Sequence, residues 1–341
     1  MRQRRCTSTS QKSAHMRRTE WFIYVAILFL LLACLPFWLL HLRPAQSRAL
    51  TNPPAQSLYW IEADLAERPQ GAVEEVNRRV MTYDCSDGAP RTFAGLDDAS
   101  KWAFVQADTA GILLCKQTPG ETAVSLVPLD DNGRVCACVP VQAPYSIERV
   151  LALRGDMLFA VLALTENQEP TFQFARCDLS TRQWVLYGPL LDFIGMPSVS
   201  TAGEIVDARD ARLYLLGLDG NERPLEQGYA AQWLPNTSAR VLFSDASGAL
   251  CTMDLQTRST LLLTDQKARP LSLQQQNFRA HARALTNKHT HLAYLCTSTH
   301  TPFQQDLWHI ELRVLDLRTG EEALIAREAG GCLQGNTLCW K

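Results

Sequence analysis

The chain has 341 residues, 33 basic and 35 acidic, for a formal net charge of −2. Residues 1–20 take six of the basic residues (Arg2, Arg4, Arg5, Lys12, Arg17 and Arg18) and one acidic residue, Glu20, while residues 21–42 take none. Residues 43–341 therefore hold 27 basic and 34 acidic residues and a net charge of −7. That acidic remainder argues against nucleic acid as a partner, because nucleic-acid binders carry a basic footprint, and its length suffices to bury a sizeable core.

In chain order, residues 1–20 read as a basic tail and Trp21 to Leu42 as a membrane helix. The second stretch carries no Asp, Glu, Lys or Arg, and about 20 apolar residues in a helix span a bilayer. The excess of Lys and Arg before it predicts a cytoplasmic N-terminus and export of everything after residue 42. Two other readings stay open. Pro44-Ala45-Gln46-Ser47 is a candidate cleavage site for a signal peptide, and Leu31-Leu32-Ala33-Cys34 resembles a lipoprotein signal with Cys34 acylated. All three place residues 58–341 outside the cytoplasm, in the cell envelope, behind a linker over residues 43–57 that is extended from Thr51 to Ser57. The expected topology is that of a single-pass protein of the inner (plasma) membrane, touching the bilayer through residues 21–42, with its main domain in the periplasm or another extracytoplasmic space.

Nine of the 11 cysteines lie beyond residue 42. An exported compartment permits disulfides, and an odd count leaves at least one thiol free or paired outside the chain. Cys332 and Cys339 flank the turn-rich Leu-Gln-Gly-Asn-Thr-Leu and are the candidate disulfide pair. Cys136-Ala137-Cys138 reads as a strand segment whose thiols are core or disulfide. It lacks the second pair that a structural zinc site needs.

After the linker come short apolar runs cut by turn residues. Residues 80–85 end at Ser86-Asp87-Gly88. Residues 123–129 end at Asp131-Asn132-Gly133, and residues 134–139 follow. Residues 212–218 end at Asp219-Gly220. Strands joined through Asn-Gly or Asp-Gly are hairpin signals. Only Gly71 to Val80 offers a short helix. One motif recurs at Cys177-Asp178-Leu-Ser-Thr-Arg182, Met253-Asp254-Leu-Gln-Thr-Arg258 and Leu315-Asp316-Leu-Arg-Thr-Gly320, each time between apolar strands. Asp and Thr there bond nearby backbone amides and turn the chain. Turn aspartates at Asp84, Asp131, Asp178, Asp219, Asp254 and Asp316 are 47, 47, 41, 35 and 62 residues apart. A period in the forties built of strands alone is what propeller blades show. The long last gap holds an insertion near residues 271–280.

The strand-Asp-Leu-x-Thr-Gly-strand hairpin resembles the outer hairpin of TolB-like and WD-repeat-like β-propellers, loosely over residues 58–341, without the Trp-Asp or Gly-His signatures. The resemblance implies an all-β fold of six to eight four-stranded blades around a central channel. Another large all-β architecture, such as paired sandwiches, is the alternative. The resemblance implies no activity, because propellers host enzymes and scaffolds alike.

Motifs that commit a chain to a reaction are absent: Gly-x-Ser-x-Gly, His-Glu-x-x-His, the phosphate-binding glycine loops and Cys-x-x-Cys do not occur. No catalytic residue and no cofactor is expected. Asn236-Thr237-Ser238 is a glycosylation sequon. Histidine is the uneven feature: His281, His289, His291, His300 and His309 all fall within 29 residues. If His289-Thr290-His291 is strand, both imidazoles share a face, and His281, His300 or Cys296 completes a candidate metal set; solvated loop histidines are the ordinary alternative. The expected function is a membrane-anchored scaffold that binds another envelope protein. The competing expectation is a ligand- or metal-binding sensor, or an enzyme, built on residues 281–309.

Overall fold

The structure, a computed structural model, describes residues 50–67, 73–85, 88–108, 111–118, 121–166, 169–235, 237–246, 249–262, 283–297, 310–327 and 338–341. Among them no helix is long and apolar enough to cross a membrane. The predicted membrane segment 21–42, the insertion at 271–280 and Cys332 lie outside the described residues, as does Asn236 of the sequon.

Residues from 48 onward form one compact unit, whose described residues make 24 strands in six four-stranded antiparallel sheets, the blades of a β-propeller. Blade 1 holds β1 (Leu58–Glu67), β2 (Val73–Tyr83) and β3 (Arg91–Gly95). Blade 2 holds β4 (Lys101–Asp108), β5 (Gly111–Gln117), β6 (Ala123–Leu129) and β7 (Val139–Gln142). Blade 3 holds β8 (Ser146–Arg154), β9 (Met157–Glu166), β10 (Glu169–Asp178) and β11 (Gln183–Leu191). Blade 4 holds β12 (Ser198–Val199), β13 (Ile205–Arg209), β14 (Arg212–Leu216) and β15 (Glu222–Gln227). Blade 5 holds β16 (Tyr229–Trp233), β17 (Arg240–Ser244), β18 (Leu250–Asp254) and β19 (Thr260–Leu262). Blade 6 holds β20 (Arg283–Leu285), β21 (His291–Thr297), β22 (Ile310–Asp316) and β23 (Glu322–Arg327). The last strand, β24 (Leu338–Trp340), returns to blade 1 as its innermost strand, with Leu58 facing Trp340 and Trp60 facing Leu338. Backbone bonds between Ser57 and Lys341 in both directions, 3.0 and 2.9 Å, seal the seam.

The burial pattern explains why these segments are strands. In β9, Leu158, Phe159, Ala160, Val161 and Leu162 are all buried. A central strand covered on both faces by neighbouring blades reads as a continuous apolar run rather than an alternation. The outermost β15, Glu-Arg-Pro-Leu-Glu-Gln, has no buried residue. Six apolar cores result, one at each blade interface. Leu338 and Trp340 complete the core between blades 6 and 1, and Trp102 and Phe104 pack on Ile61 and Val80 between blades 1 and 2. The ring has no unfilled interface, and the sandwich alternative falls away.

Sequence expectations fare unevenly. All six turn aspartates fall between the third and fourth strands of successive blades, which fixes the number at six. Asp178 Oδ1 accepts the amides of Ser180 and Thr181, and Asp254 Oδ1 those of Gln256 and Thr257. In blade 2 the role belongs to Asp130, which accepts the amides of Asn132 and Arg134, rather than to Asp131. Of the short helix expected at residues 71–80, the described residues 73–80 are instead part of strand β2. Pairing with β1 and β3 overrides its helix-compatible composition, and Asn77 breaks the helical path with φ +54°. Residues 134–138 are not regular strand; β7 begins only at Val139.

Candidate functional site: the mouth of the central cavity

Antiparallel order puts the turns between first and second strands on the same face as those between third and fourth strands. The inner strands β24, β4, β8, β12, β16 and β20 ring the centre, and their C-terminal halves wall a cavity of about 430 Å³ that reaches that face. Each blade contributes one strand end: Ala107, Arg154 with Gly155, Ser200 with Thr201, Pro235 with Thr237, Asn287, and Trp340. Polar side chains in the wall are neutral amides and hydroxyls, among them Gln106, Gln232 and Ser198. None of the described lining residues is Asp, Glu or Lys.

Arg154 is the charged residue of this wall. Its guanidinium is oriented by backbone: Nε donates to the Ser200 carbonyl at 3.1 Å, Nη2 to Val199 at 3.1 Å and Nη1 to Leu153 at 3.0 Å. Ser200, in turn, caps its own turn, its hydroxyl accepting the amides of Ala202 and Glu204. The position of Arg154 is therefore set by two blades at once. Of Trp102, Trp184, Trp233 and Trp308, Trp233 lines the cavity, and its indole N–H finds no hydrogen-bond partner among the described residues. Trp102 is buried between blades, Trp184 spans blades 2 and 3 through Gln142 at 2.7 Å, and Trp308 lies outside the described residues. Trp340, which the sequence did not single out, lines the wall and donates to the Ala284 carbonyl at 3.1 Å.

The N-terminal strap, residues 50–57, crosses blade 6 on this same face. Thr51 donates through its amide and its hydroxyl to Glu321 at 3.0 and 2.8 Å. The Asn287 amide donates to Gln56 Oε1 at 2.8 Å. His291 is buried, and its Nε2 donates to the Asn52 carbonyl at 2.7 Å while Nδ1 meets the Thr290 hydroxyl at 2.9 Å. Asp316 Oδ2 stands 3.7 Å from His291 Nε2.

The structure places His289 in the turn before β21, with φ +56° and Nε2 on the Pro235 carbonyl at 3.1 Å. His289 and His291 thus do not share a strand face; one ties blade 6 to blade 5 and the other ties down the strap. The side chain of Cys296, with His281, His300 and His309, lies outside the described residues. Among the described residues no group of three His, Cys, Asp or Glu converges on a metal-sized site. Cys339, the described member of the candidate disulfide, is an unbridged thiol on β24, pushed above the usual thiol range by burial.

A buried charge cluster lies between blades 3 and 4. Asp207 sits 3.3 Å from Arg209 Nε, and Arg209 also pairs with Glu222 and lies 4.2 Å from the Tyr214 ring centroid. Burial pushes the Asp207 carboxyl up, against the pull of Arg209. Arg149 from β8 reaches the Gly195 carbonyl at 2.9 Å beside it. None of these residues lines the cavity, and the cluster fastens two blades together.

No family model and no curated protein sequence matches the chain. Solved structures do. TolB from Acinetobacter baumannii aligns with a TM-score of 0.56 at 12% identity, over 84% of this chain and 67% of that one. An oligogalacturonate lyase in complex with manganese aligns at 0.47, with 14% identity and 74% and 72% coverage. Apo AztD from Citrobacter koseri aligns at 0.43, with 11% identity and 84% and 98% coverage. The likeness to TolB shows the fold: the chain is a six-bladed β-propeller. The two scores below 0.5 carry nothing further.

Proposed function

We propose that the chain is an interaction module of the cell envelope, a propeller held at a membrane by residues 21–42, whose cavity mouth receives a segment of another envelope protein. The observation that carries the reading is the wall of the mouth. Strand ends from all six blades converge there, offering neutral amides, hydroxyls and one oriented guanidinium around a space sized for several side chains. Such a lining recognises backbone and polar groups of an inserted segment, and sites of a few hundred Å³ are the usual scale for ligands that insert. The absence from the sequence of any motif that commits a chain to a reaction supports the same reading. So does the strap, which fixes the end of the linker on the face that carries the mouth.

The test is site-specific photo-cross-linking of the full chain in its native membrane. Cross-linkers replace Thr201 and Thr237 at the mouth and, as controls, Lys101 and Ser146 at the opposite ends of inner strands. One dominant protein adduct from the mouth positions and none from the controls is the expected result. No adduct, or equal adducts from both faces, overturns it. Resistance of the full chain to alkaline extraction, lost when residues 1–42 are removed, is the expected behaviour of the anchor; extraction of the full chain refutes it.

A further inference from the structure

The described cysteines fall into two sets. Cys115, Cys177 and Cys251 are buried, and Cys85 and Cys339 are half-buried. Burial pushes the Cys115 thiol up to about 12 and the Cys85 thiol up to about 11, so neither is a ready nucleophile. Cys136 and Cys138 alone among them are exposed, on the hairpin between β6 and β7. The sequence reads them as core or disulfide thiols, and their exposure removes the first reading. The segment around them, with Val135 at 52% and Val139 at 49% exposure, presents an apolar edge to solvent.

This hairpin is held in place. Asp130 Oδ1 takes the amides of Asn132 and Arg134, both at 2.8 Å. The Cys136 amide donates to the Pro128 carbonyl at 2.9 Å. Gly133, at φ +75°, lies so close to blade 1 that a Cβ there would stand 1.9 Å from the Phe93 carbonyl oxygen. Lys341, at the end of the closing strand, reaches Asp131 at 3.1 Å. Two thiols on a fixed, solvent-facing hairpin are a different object from two thiols on a mobile tail.

We propose that Cys136 and Cys138 form a thiol–disulfide exchange site whose substrate is a disulfide or dithiol of another protein. Residues i and i+2 are at most about 7 Å apart at Cα even in a fully extended chain. Disulfides span roughly 4.4–6.8 Å, so residues at this spacing lie within bridging reach. A bond made there is exposed to solvent and open to exchange, the character of labile disulfides rather than buried structural ones. In the forward step the Cys136 thiolate attacks a partner disulfide; that S–S bond breaks, a mixed disulfide forms and one partner thiolate leaves. The Cys138 thiolate then displaces the second partner sulfur from Cys136, closing the Cys136–Cys138 bond. The hairpin has lost two electrons and two protons, and the partner has gained them as a dithiol. The reverse sequence passes the disulfide to a partner dithiol.

The experiment uses the purified full chain in detergent, equilibrated with glutathione across a range of reduced-to-oxidised ratios, acid-quenched, alkylated and read by mass spectrometry. Cys136 and Cys138 are expected to lose alkylation together, as a two-electron pair, while Cys115, Cys177 and Cys251 stay unlabelled in the folded protein. Cys136→Ser and Cys138→Ser each leave one thiol, which should accumulate at least tenfold more glutathione adduct than the wild-type chain. Full alkylation of both thiols at every ratio with no adduct overturns the proposal. Protection that appears only on adding zinc or copper(I), and not on oxidation, overturns it too. The assay needs neither membrane nor partner, so its failure leaves the reading of the cavity mouth untouched, and the converse holds.

Discussion

A close approach between two blades, at Gly133, gives a sharp test of the packing argument. Gly133 and Gly155 both sit at positive φ, +75° and +56°, and neither is in a strand. They differ in surroundings. Nothing lies within 4 Å of a Cβ built on Gly155, whereas one built on Gly133 meets the Phe93 carbonyl oxygen at 1.9 Å and its carbon at 2.8 Å. Gly155→Ala therefore carries only the conformational cost of a left-handed L-residue, about 1–2 kcal/mol. Gly133→Ala carries that cost and forces the β6–β7 hairpin off blade 1, an overpacking term of about 1–3 kcal/mol. At about 2–4 °C per kcal/mol for a domain of this order of size, Gly133→Ala should melt about 2–12 °C below Gly155→Ala. Differential scanning calorimetry of both variants alongside the wild-type domain measures the difference. Equal melting temperatures would show that the hairpin yields freely and is not pinned on blade 1.

Three further outcomes follow from named contacts. Burial works to raise the Asp316 carboxyl, but the Arg318 amide and guanidinium, the neighbouring His291 and the Thr319 amide outweigh it and hold the group below the usual range. A depressed carboxylate stabilises above its unfolded pKa and loses that contribution as pH falls through the folded one. The stability gap between wild type and Asp316→Asn, read by urea titration, should thus be full above about pH 5 and close below the ordinary carboxylate range near 3.9; a gap that persists unchanged at pH 2 contradicts the assignment. His291→Leu leaves the Asn52 carbonyl without its donor, at a cost of about 1–3 kcal/mol, and limited proteolysis should cut the strap at residues 50–57 faster while the blades stay intact. Ending the chain at residue 337 removes Leu338 and Trp340, each worth about 1.5–3 kcal/mol of burial, together with the inner strand of blade 1. The truncated domain should lose its single cooperative unfolding transition, and a sharp transition at the wild-type temperature would refute the closure argument.

How much of this was legible follows from which residues act locally. A turn aspartate works on amides two or three residues away, so the sequence exposes it. Asp84, Asp178, Asp219, Asp254 and Asp316 each mark the outer hairpin of one blade, and only in blade 2 does the neighbouring Asp130 take the role. The inner strands leave no such trace. β12 has two residues, β20 and β24 three each, too few to show a period. The cavity wall they build was therefore invisible until the ring closed. Arg154 illustrates the point: its partners Val199 and Ser200 lie 45 and 46 residues away in the next blade. The segment around Cys136 misled for the opposite reason. Its apolar composition signals a core strand, yet β7 is the outermost strand of its blade, and Cys136 and Cys138 before it face solvent although Gly133 of the same hairpin abuts blade 1. Similarly, Arg78 and Arg79 in β2 suit a helix; sheet pairing and the bridge from Arg79 to Glu62 and Asp64, 2.7 and 2.9 Å, decide otherwise.

The strap, the cavity mouth and the thiol hairpin share one face because of strand order alone. The chain enters the propeller where inner strands end, so Ser57 lies beside Lys341, and Lys341 in turn reaches Asp131 on the hairpin that carries Cys136 and Cys138. This arrangement makes a joint prediction. If a partner seated in the mouth also covers the hairpin, prior alkylation of Cys136 and Cys138 with a bulky maleimide should reduce the photo-adduct at Thr201 severalfold, while Cys136→Ser/Cys138→Ser, which adds no bulk, should leave it unchanged. Loss in both cases would assign the thiols to partner binding itself. An adduct that survives the bulky label in full would mean that the mouth and the hairpin serve separate partners.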